Sequence, residues 1–164
     1  MPENFIIKKT TSADPDFQLL VRLLDHELWN ELNEDMQTYD QYNKVPDLNT
    51  VLLVYHGDEP VACGCFKSFD EQTAEIKRMF VKKSFRGLGL SKKVLHSLEE
   101  WALETGYSQT ILETSIYFET AKTLYQTNGY SIIPNYPPYT GLHDSVCMKK
   151  HLLKAVTEKF SGSK

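Results

Sequence analysis

Two β-rich runs in the middle of the chain, "TAEIKRMFV" (73–81) and "TILETS" (110–115), are separated by a connection long enough to hold a helix. Within it Val94, Leu95, Leu98, Trp101 and Ala102 recur at helical spacing, and Gly106 follows where such a helix would close. A strand, a helix and a second strand joined this way make the two strands parallel neighbours, with a right-handed crossover. The rest of the chain has to be arranged around that unit.

The runs before it read as antiparallel. "TVLLVYHGDEPVACGCFKSF" is two strand-like segments around a "HGDE" turn, and only "DEQ" separates it from "TAEIKRMFV". Ahead of these, "NFIIKKT" is a short strand. "DPDFQLLVRLLDHELWNEL" is an amphipathic helix with Phe17, Leu20, Leu23, Leu24 and Leu28 on its apolar stripe, Asp14 as cap and Pro15 in its first turn. The polar, Tyr-bearing segment that follows carries Pro46, which would end any second helix. After the crossover, "FETAKTLYQTNGY" is a short helix with Ala121, Leu124 and Tyr125 on one side. "YSIIP" and "DSVCMKK" are two last strands around a Pro- and Tyr-rich loop, and the tail is a short helix. The order β-α-α-β-β-β-α-β-α-β-β predicts one domain over 1–164. Its class is mixed α/β, with a mostly antiparallel twisted sheet, a central parallel pair and helices on both faces.

Charge narrows the partners. The chain carries 22 acids against 18 bases, a net −4, which excludes a general nucleic-acid binder. Seven bases and no acid lie between Lys77 and Lys93, leaving 11 bases against 22 acids elsewhere. Such a local basic block suits a small polyanion, or is simply a solvated face. Three cysteines, Cys63, Cys65 and Cys147, give no disulfide framework, and no His/Cys spacing suits a metal. Cys63 and Cys65 share one side of a strand and read as small core residues. With neither a signal peptide nor an apolar run of membrane-spanning length, a cytoplasmic protein without membrane contact is the expectation.

The basic block centres on "VKKSFRGLGLSKKVL", a strand end, two glycines and a helix start. A helix N-terminus leaves its first N–H groups unpaired and carries partial positive charge, and glycines there let an anion approach the backbone. The Walker A pattern is absent, and "GLGL" lacks the third glycine of a dinucleotide fingerprint. From the residues alone an anion cradle and a plain turn remain equal readings.

Together, "AEIKRMFV…RGLGLS" and "AKTLYQTNGY" resemble the GNAT superfamily of acyl-CoA-dependent N-acyltransferases. Arg86, Gly89 and Ser91 fill its Arg/Gln-x-x-Gly-x-Gly/Ala motif, with Ser91 a departure. Ala121, Leu124, Tyr125, Gly129 and Tyr130 fill its Ala-x-x-Leu-Tyr-x-x-x-Gly-Phe/Tyr signature, and Phe118 stands where many members have Asn. The resemblance extends over nearly the whole chain, and the ending "IPNYPPYTGLHDSVCMKK" is similar to a subgroup of small single-domain members thought to act on small molecules.

It implies acetyl-CoA as co-substrate. The pyrophosphate would lie on the loop Arg86, Gly87, Leu88, Gly89, Leu90 and Ser91. The pantetheine arm would enter where the two parallel strands splay, along the backbone of Met79, Phe80 and Val81 and beside Glu113 and Thr114. By the same resemblance Tyr125 protonates the leaving sulfur, and Glu75 is the candidate base, or else a carboxylate paired with Lys77 or a surface charge. Strict alternation would put Glu75, Lys77 and Met79 on one face and Ile76, Arg78 and Phe80 on the other.

Arg78, or Lys77, would capture an acceptor carboxylate. Tyr39, Tyr42 and Asn43, with Tyr136, Tyr139 and His143, would wall the pocket. His26, His56, His96 and His151 read as surface residues. The expected activity is acetyl transfer to the primary amine of a small molecule by direct attack. The alternatives are a protein or peptide amine acetyltransferase and a non-catalytic acyl-CoA sensor. An exposed final strand would allow a homodimer.

Overall fold

A computed structural model describes residues 4–32 and 47–153. Tyr39, Tyr42, Asn43, any helix before Pro46 and most of the predicted tail helix lie outside the described residues. The elements run β1 (Phe5–Thr10), α1 (Pro15–Leu32), β2 (Val51–His56), β3 (Glu59–Ser68), β4 (Thr73–Val81), α2 (Leu90–Thr105), β5 (Gln109–Ser115), α3 (Glu119–Thr127), β6 (Ser131–Ile133) and β7 (Ser145–His151). Asp14 caps α1 as its position suggested, its Oδ1 accepting the Asp16 N–H at 2.9 Å. Gly106 ends α2 at φ 112°, a left-handed turn that glycine adopts without strain.

The seven strands form one sheet in the order β1-β2-β3-β4-β5-β7-β6. Every neighbouring pair is antiparallel except β4 with β5, the pair joined by the α2 crossover. The final strand is therefore not an exposed edge. β7 lies between β5 and β6, and the edges are β1 and the three-residue β6. β7 is hydrogen-bonded to β5 along its whole length and to β6 at Cys147, Met148 and Lys149.

Helices cover both faces. On one, Val94, Leu95, Leu98 and Ala102 of α2 pack with Leu52, Phe66, Ile76, Leu112 and Met148, and α3 adds Tyr125. On the other, Phe17 and Leu20 of α1 pack with Val51, Leu53, Cys63, Cys65 and Phe80. On that second face, Ile111 and Cys147 are covered by Tyr136 and Tyr139 from the loop between β6 and β7. Leu23, expected on the apolar stripe of α1, is 38% exposed.

One irregularity reshapes the sheet centre. Cys63 pairs with Phe80 and Cys65 with Lys77, so β4 spends one residue more than β3. The extra residue is Arg78, at φ 58° the one non-glycine among the described residues with positive φ. The expected alternation therefore fails there. Arg78 and Phe80 join Glu75 and Lys77 on the α1 face, and Met79 turns to the α2 face beside Ile76. Gly64 makes room for this turn, since a Cβ on it would lie 2.9 Å from Met79 Sδ and 2.8 Å from Val94. The thiols of Cys65 and Cys63 donate to the Lys77 and Arg78 carbonyls, at 3.3 and 3.4 Å. Burial pushes both thiols up, so they stay protonated donors.

The parallel pair is short. β4 and β5 are joined only at Thr73–Gln109, Ala74–Thr110 and Glu75–Ile111. Beyond Glu75 the strands continue without a ladder, and a V-shaped opening lies between them.

Candidate active site

The V opens into one continuous cleft with two parts. A groove of about 690 Å³ runs from α3 to the start of α2, and a chamber of about 180 Å³ lies deeper, between β4 and β5. Leu28, Met79, Phe118, Ala121 and Tyr125 line both.

The groove is bounded by Met79, Phe80 and Val81 on one side and by Gly87, Gly89, Leu90 and Ser91 on the other. Gly87 and Gly89 both sit at φ 81°, where a side chain would be strained, and this explains both glycines. Gly89 is the N-cap of α2 and supplies no side-chain cap, so the helix's first amides and its positive end face the groove. Arg86 braces this loop. Its Nε donates to the Val81 carbonyl at 2.9 Å, and its Nη2 reaches both carboxylate oxygens of Glu27 at 2.8 Å. Lys92 lines the groove, whereas Lys82 is paired with Glu59 at 3.0 Å. Leu88 is 43% exposed and lines neither part, so of the predicted loop it alone points away. A polyanion with a long flexible arm fits this construction: unpaired amides and a helix terminus at one end, an unladdered strand edge leading inward.

The chamber is made of side chains. Glu75, Lys77 and Arg78 come from β4, Glu113 and Thr114 from β5, Tyr125 from α3 and Tyr139 from the β6–β7 loop. Tyr125 is buried and meets Tyr130 edge-on at 5.8 Å between ring centres. Burial, with help from the Glu113 charge, pushes its phenol up to about 12, so it holds its proton at neutral pH. Glu75 is 4% exposed. Its Oε2 accepts the Tyr136 hydroxyl at 2.8 Å and lies 4.0 Å from Lys77 Nζ, while Oε1 lies 3.8 Å from Lys67 Nζ. Lys77 donates to Tyr139 Oη at 3.1 Å, and burial lowers its pKa.

Glu113 accepts the Ser145 hydroxyl at 2.7 Å. Burial pushes its carboxyl up to about 7, with the Glu75 charge adding to the rise and Ser145 and Lys77 opposing it. Arg78 pairs with Asp25 of α1, and its Nε is buried without a partner among the described residues. Asn135 ties the covering loop, its Nδ2 donating to the carbonyls of Tyr139, Leu142 and Ser145 at 3.1–3.3 Å.

Of the candidate site residues, Leu88 points away, Tyr136 and His143 line neither part of the cleft, and Tyr39, Tyr42 and Asn43 lie outside the described residues; the others meet in one cleft. Asp25, Ser145 and Glu27 were not foreseen. They sit on elements far away in the chain, and no local pattern marks them. Among the described residues no cluster of His, Cys, Asp or Glu could hold a metal ion, and no helix is long and apolar enough to cross a membrane.

The Acetyltransferase (GNAT) family model matches residues 15–130. The chain belongs to the GNAT family. It is 35% identical over 105 residues to an uncharacterized N-acetyltransferase of Bacillus subtilis (strain 168), YsnE, spanning 63% of this chain and 70% of that protein. A Klebsiella pneumoniae crystal structure described as an acyl-CoA N-acyltransferase superposes with a TM-score of 0.75 at 28% identity, over 91% of this chain and 98% of that one. The same fold recurs in a GNAT family acetyltransferase from Elizabethkingia anophelis with acetyl-CoA bound, with a TM-score of 0.67 at 20% identity over 92% and 100% of the two chains. As a GNAT member the chain is an acyl-CoA N-acetyltransferase, and acetyl-CoA is its co-substrate. The splayed β4–β5 pair that the resemblance implied is present, as are the mixed sheet and the helices on both faces.

Proposed function

We propose that this GNAT enzyme acetylates the primary amine of a small molecule by direct attack in a ternary complex. The observation that carries the reading is the two-part cleft. A long groove suited to the donor meets a chamber of only about 180 Å³, and Tyr125 borders both. Acetyl-CoA supplies the acetyl thioester. The amides of Gly87, Gly89, Leu90 and Ser91, at the positive end of α2, hold its pyrophosphate, braced by Arg86. The backbone of Met79, Phe80 and Val81, free of a ladder toward β5, pairs with the arm, and Thr114 faces it across the V. Tyr125, protonated at neutral pH, donates to the departing sulfur. Arg78 and Tyr139 border the acceptor, and the unmatched Arg78 Nε is a donor suited to an acceptor carboxylate.

Acceptor attack requires that an ammonium first lose a proton, and two carboxylates, Glu75 and Glu113, reach the chamber. Direct transfer is supported by the cysteines, since Cys63, Cys65 and Cys147 are all buried with thiols pushed up, which disfavours an acyl-cysteine intermediate.

Thiol release from acetyl-CoA, measured across small amines, amino acids and lysine-bearing peptides, tests the reading. The fastest turnover is expected on a small amine. Turnover confined to peptides would make it a protein acetyltransferase, and tight acetyl-CoA binding without turnover on any acceptor would make it a sensor.

A further inference from the structure

The chamber that suits an acceptor amine already contains a primary amine of its own. Lys77 lines it together with Tyr125, Glu113 and Thr114, and among the described residues around it Lys77 is the one lysine. It stands two residues past Glu75, the last rung that joins β4 to β5, where the strands have parted. Its side chain is only 5% exposed, so the nitrogen is held inside the cleft and away from solvent. Lys67 makes the contrast. The same amine lies 3.8 Å from the other oxygen of Glu75, but it is 35% exposed and lines neither part of the cleft. Lys92 lines the groove at the start of α2 and does not reach the chamber.

We propose that Lys77 is a site of self-acetylation: when no acceptor occupies the chamber, its ε-amine takes the acetyl group from bound acetyl-CoA. This rests on the acetyl-transfer reading above but on no particular acceptor. Lys77 Nζ is oriented by Tyr139, to whose Oη it donates at 3.1 Å, and lies 4.0 Å from Glu75. Attack needs the neutral amine. Burial lowers the Lys77 pKa and the Lys67 charge adds to the fall, while Glu75 and Glu113 oppose it. A larger neutral fraction follows than for a solvated lysine. A neutral amine can still donate one N–H to Tyr139 and keep its lone pair open. Confinement beside the thioester also replaces a second-order encounter by a first-order step.

In the reaction the Lys77 ammonium first releases one proton to solvent. The nitrogen lone pair forms the C–N bond to the acetyl carbonyl carbon, the C–S bond breaks, and its electron pair leaves on sulfur. The sulfur takes the Tyr125 proton, and the second proton lost by nitrogen restores Tyr125. The products are acetylated Lys77, free coenzyme A and one proton. The new amide carries no charge beside Glu75, and it adds the bulk of an acetyl group to a chamber of about 180 Å³. An acceptor is thereby shut out. The modification turns the enzyme off when acetyl-CoA is present and acceptor is scarce.

The test incubates the full chain with acetyl-CoA and no amine, and follows peptides covering Lys67, Lys77 and Lys92 by mass spectrometry. Lys77 should gain one acetyl group ahead of the other two. Its rate constant should saturate with acetyl-CoA and stay the same at every protein concentration. Turnover of the fastest amine of the panel should fall in step, whereas Lys77→Arg should hold its own starting rate through the same incubation. Tyr125→Phe should slow the modification on the order of 10²–10⁴-fold. That amine, present in excess, should protect Lys77. Modification of Lys77 no faster than of Lys67 and Lys92, or unaffected by Tyr125→Phe, is solution chemistry and overturns the proposal. So does a rate constant that rises with protein concentration, since one copy would then be acetylating another. Full modification without loss of turnover overturns the shut-off. A wild type that acetylates free amines but leaves Lys77 unmodified overturns self-acetylation alone. One that modifies Lys77 but no free amine overturns the small-amine reading alone, and one that binds acetyl-CoA and does neither overturns both.

Discussion

At the start of α2 the cleft offers a ligand mostly backbone. Gly87 and Gly89 expose amides, and Met79, Phe80 and Val81 present an unladdered strand edge. A few residues deeper it offers side chains, with Glu75, Lys77, Arg78, Glu113 and Tyr139 drawn from two strands and a loop. A backbone site tolerates side-chain change provided its conformation survives, so it suits a donor that is always the same. A side-chain site changes with each substitution, so it suits an acceptor that differs from one enzyme to another. Tyr125 stands where the two halves meet and belongs to both.

The largest effect should come from that junction. Tyr125→Phe removes the proposed proton donor but keeps the ring and its edge-on packing on Tyr130. Turnover should fall on the order of 10²–10⁴-fold while acetyl-CoA binding, read by calorimetry, stays nearly constant. A fall in donor affinity with turnover preserved would make Tyr125 a wall of the groove and nothing more.

The second test uses the cost of the chamber. Glu113 has a folded-state pKa raised from an ordinary 4.5 to about 7. Its neutral form is the favoured one, so the stability it contributes is fully present below about pH 4.5 and is lost as pH rises through about 7. Above that window the fold carries a buried charge. Glu113→Gln should therefore stabilise the protein at pH 8 by up to ~3 kcal/mol and leave stability at pH 4 nearly unchanged, as followed by urea midpoints at the two values. A variant equally or less stable than wild type at pH 8 would mean the carboxyl is well solvated.

Third, Gly89→Ala puts a side chain at φ 81°, a strain of ~1–2 kcal/mol, with nothing nearby for its Cβ to strike. Lost stability and lost acetyl-CoA affinity together should amount to about that much, and the acceptor KM should not move. A changed acceptor KM would mean the two halves are not separable.

The same contrast explains what could be read from residues in order. The donor half is local. Strand, "RGLGLS" and helix are consecutive, and a positive φ at Gly87 and Gly89 is the physical content of their spacing. Tyr125 was visible because the motif around it lies on one short helix. The acceptor half is not local. The faces of β4 were misassigned at Arg78 because a bulge depends on the partner strand, and only pairing with Cys63 and Cys65 reveals the extra residue. A hint was present in Gly64, isolated in the apolar run "VACGCF", since a glycine inside a strand often marks a bulge or a close approach. The internal place of β7, which brings Ser145 to Glu113, had no comparable mark, because strand order follows from tertiary packing and not from the sequence of elements. The raised pKa of Glu113 likewise arises from burial that its neighbours in sequence do not encode.

The smallest effect concerns Glu27, an acid in a groove suited to an anion. Its pair with Arg86 is well exposed, at 36% and 42% of the two side chains, so water and salt screen it and Glu27→Gln should change stability by about 0–1 kcal/mol. The effect on the ligand should have the opposite sign to the usual loss of a contact. Removing the negative charge leaves the Arg86 guanidinium uncompensated beside the positive end of α2 while its Nε still holds the Val81 carbonyl. Acetyl-CoA should bind a few-fold more tightly at low ionic strength, and the gain should shrink as salt shortens the screening length toward ~8 Å. Weaker binding at every salt concentration would instead mean that Glu27 positions Arg86, and that the donor half depends on a side-chain pair as well as on its backbone.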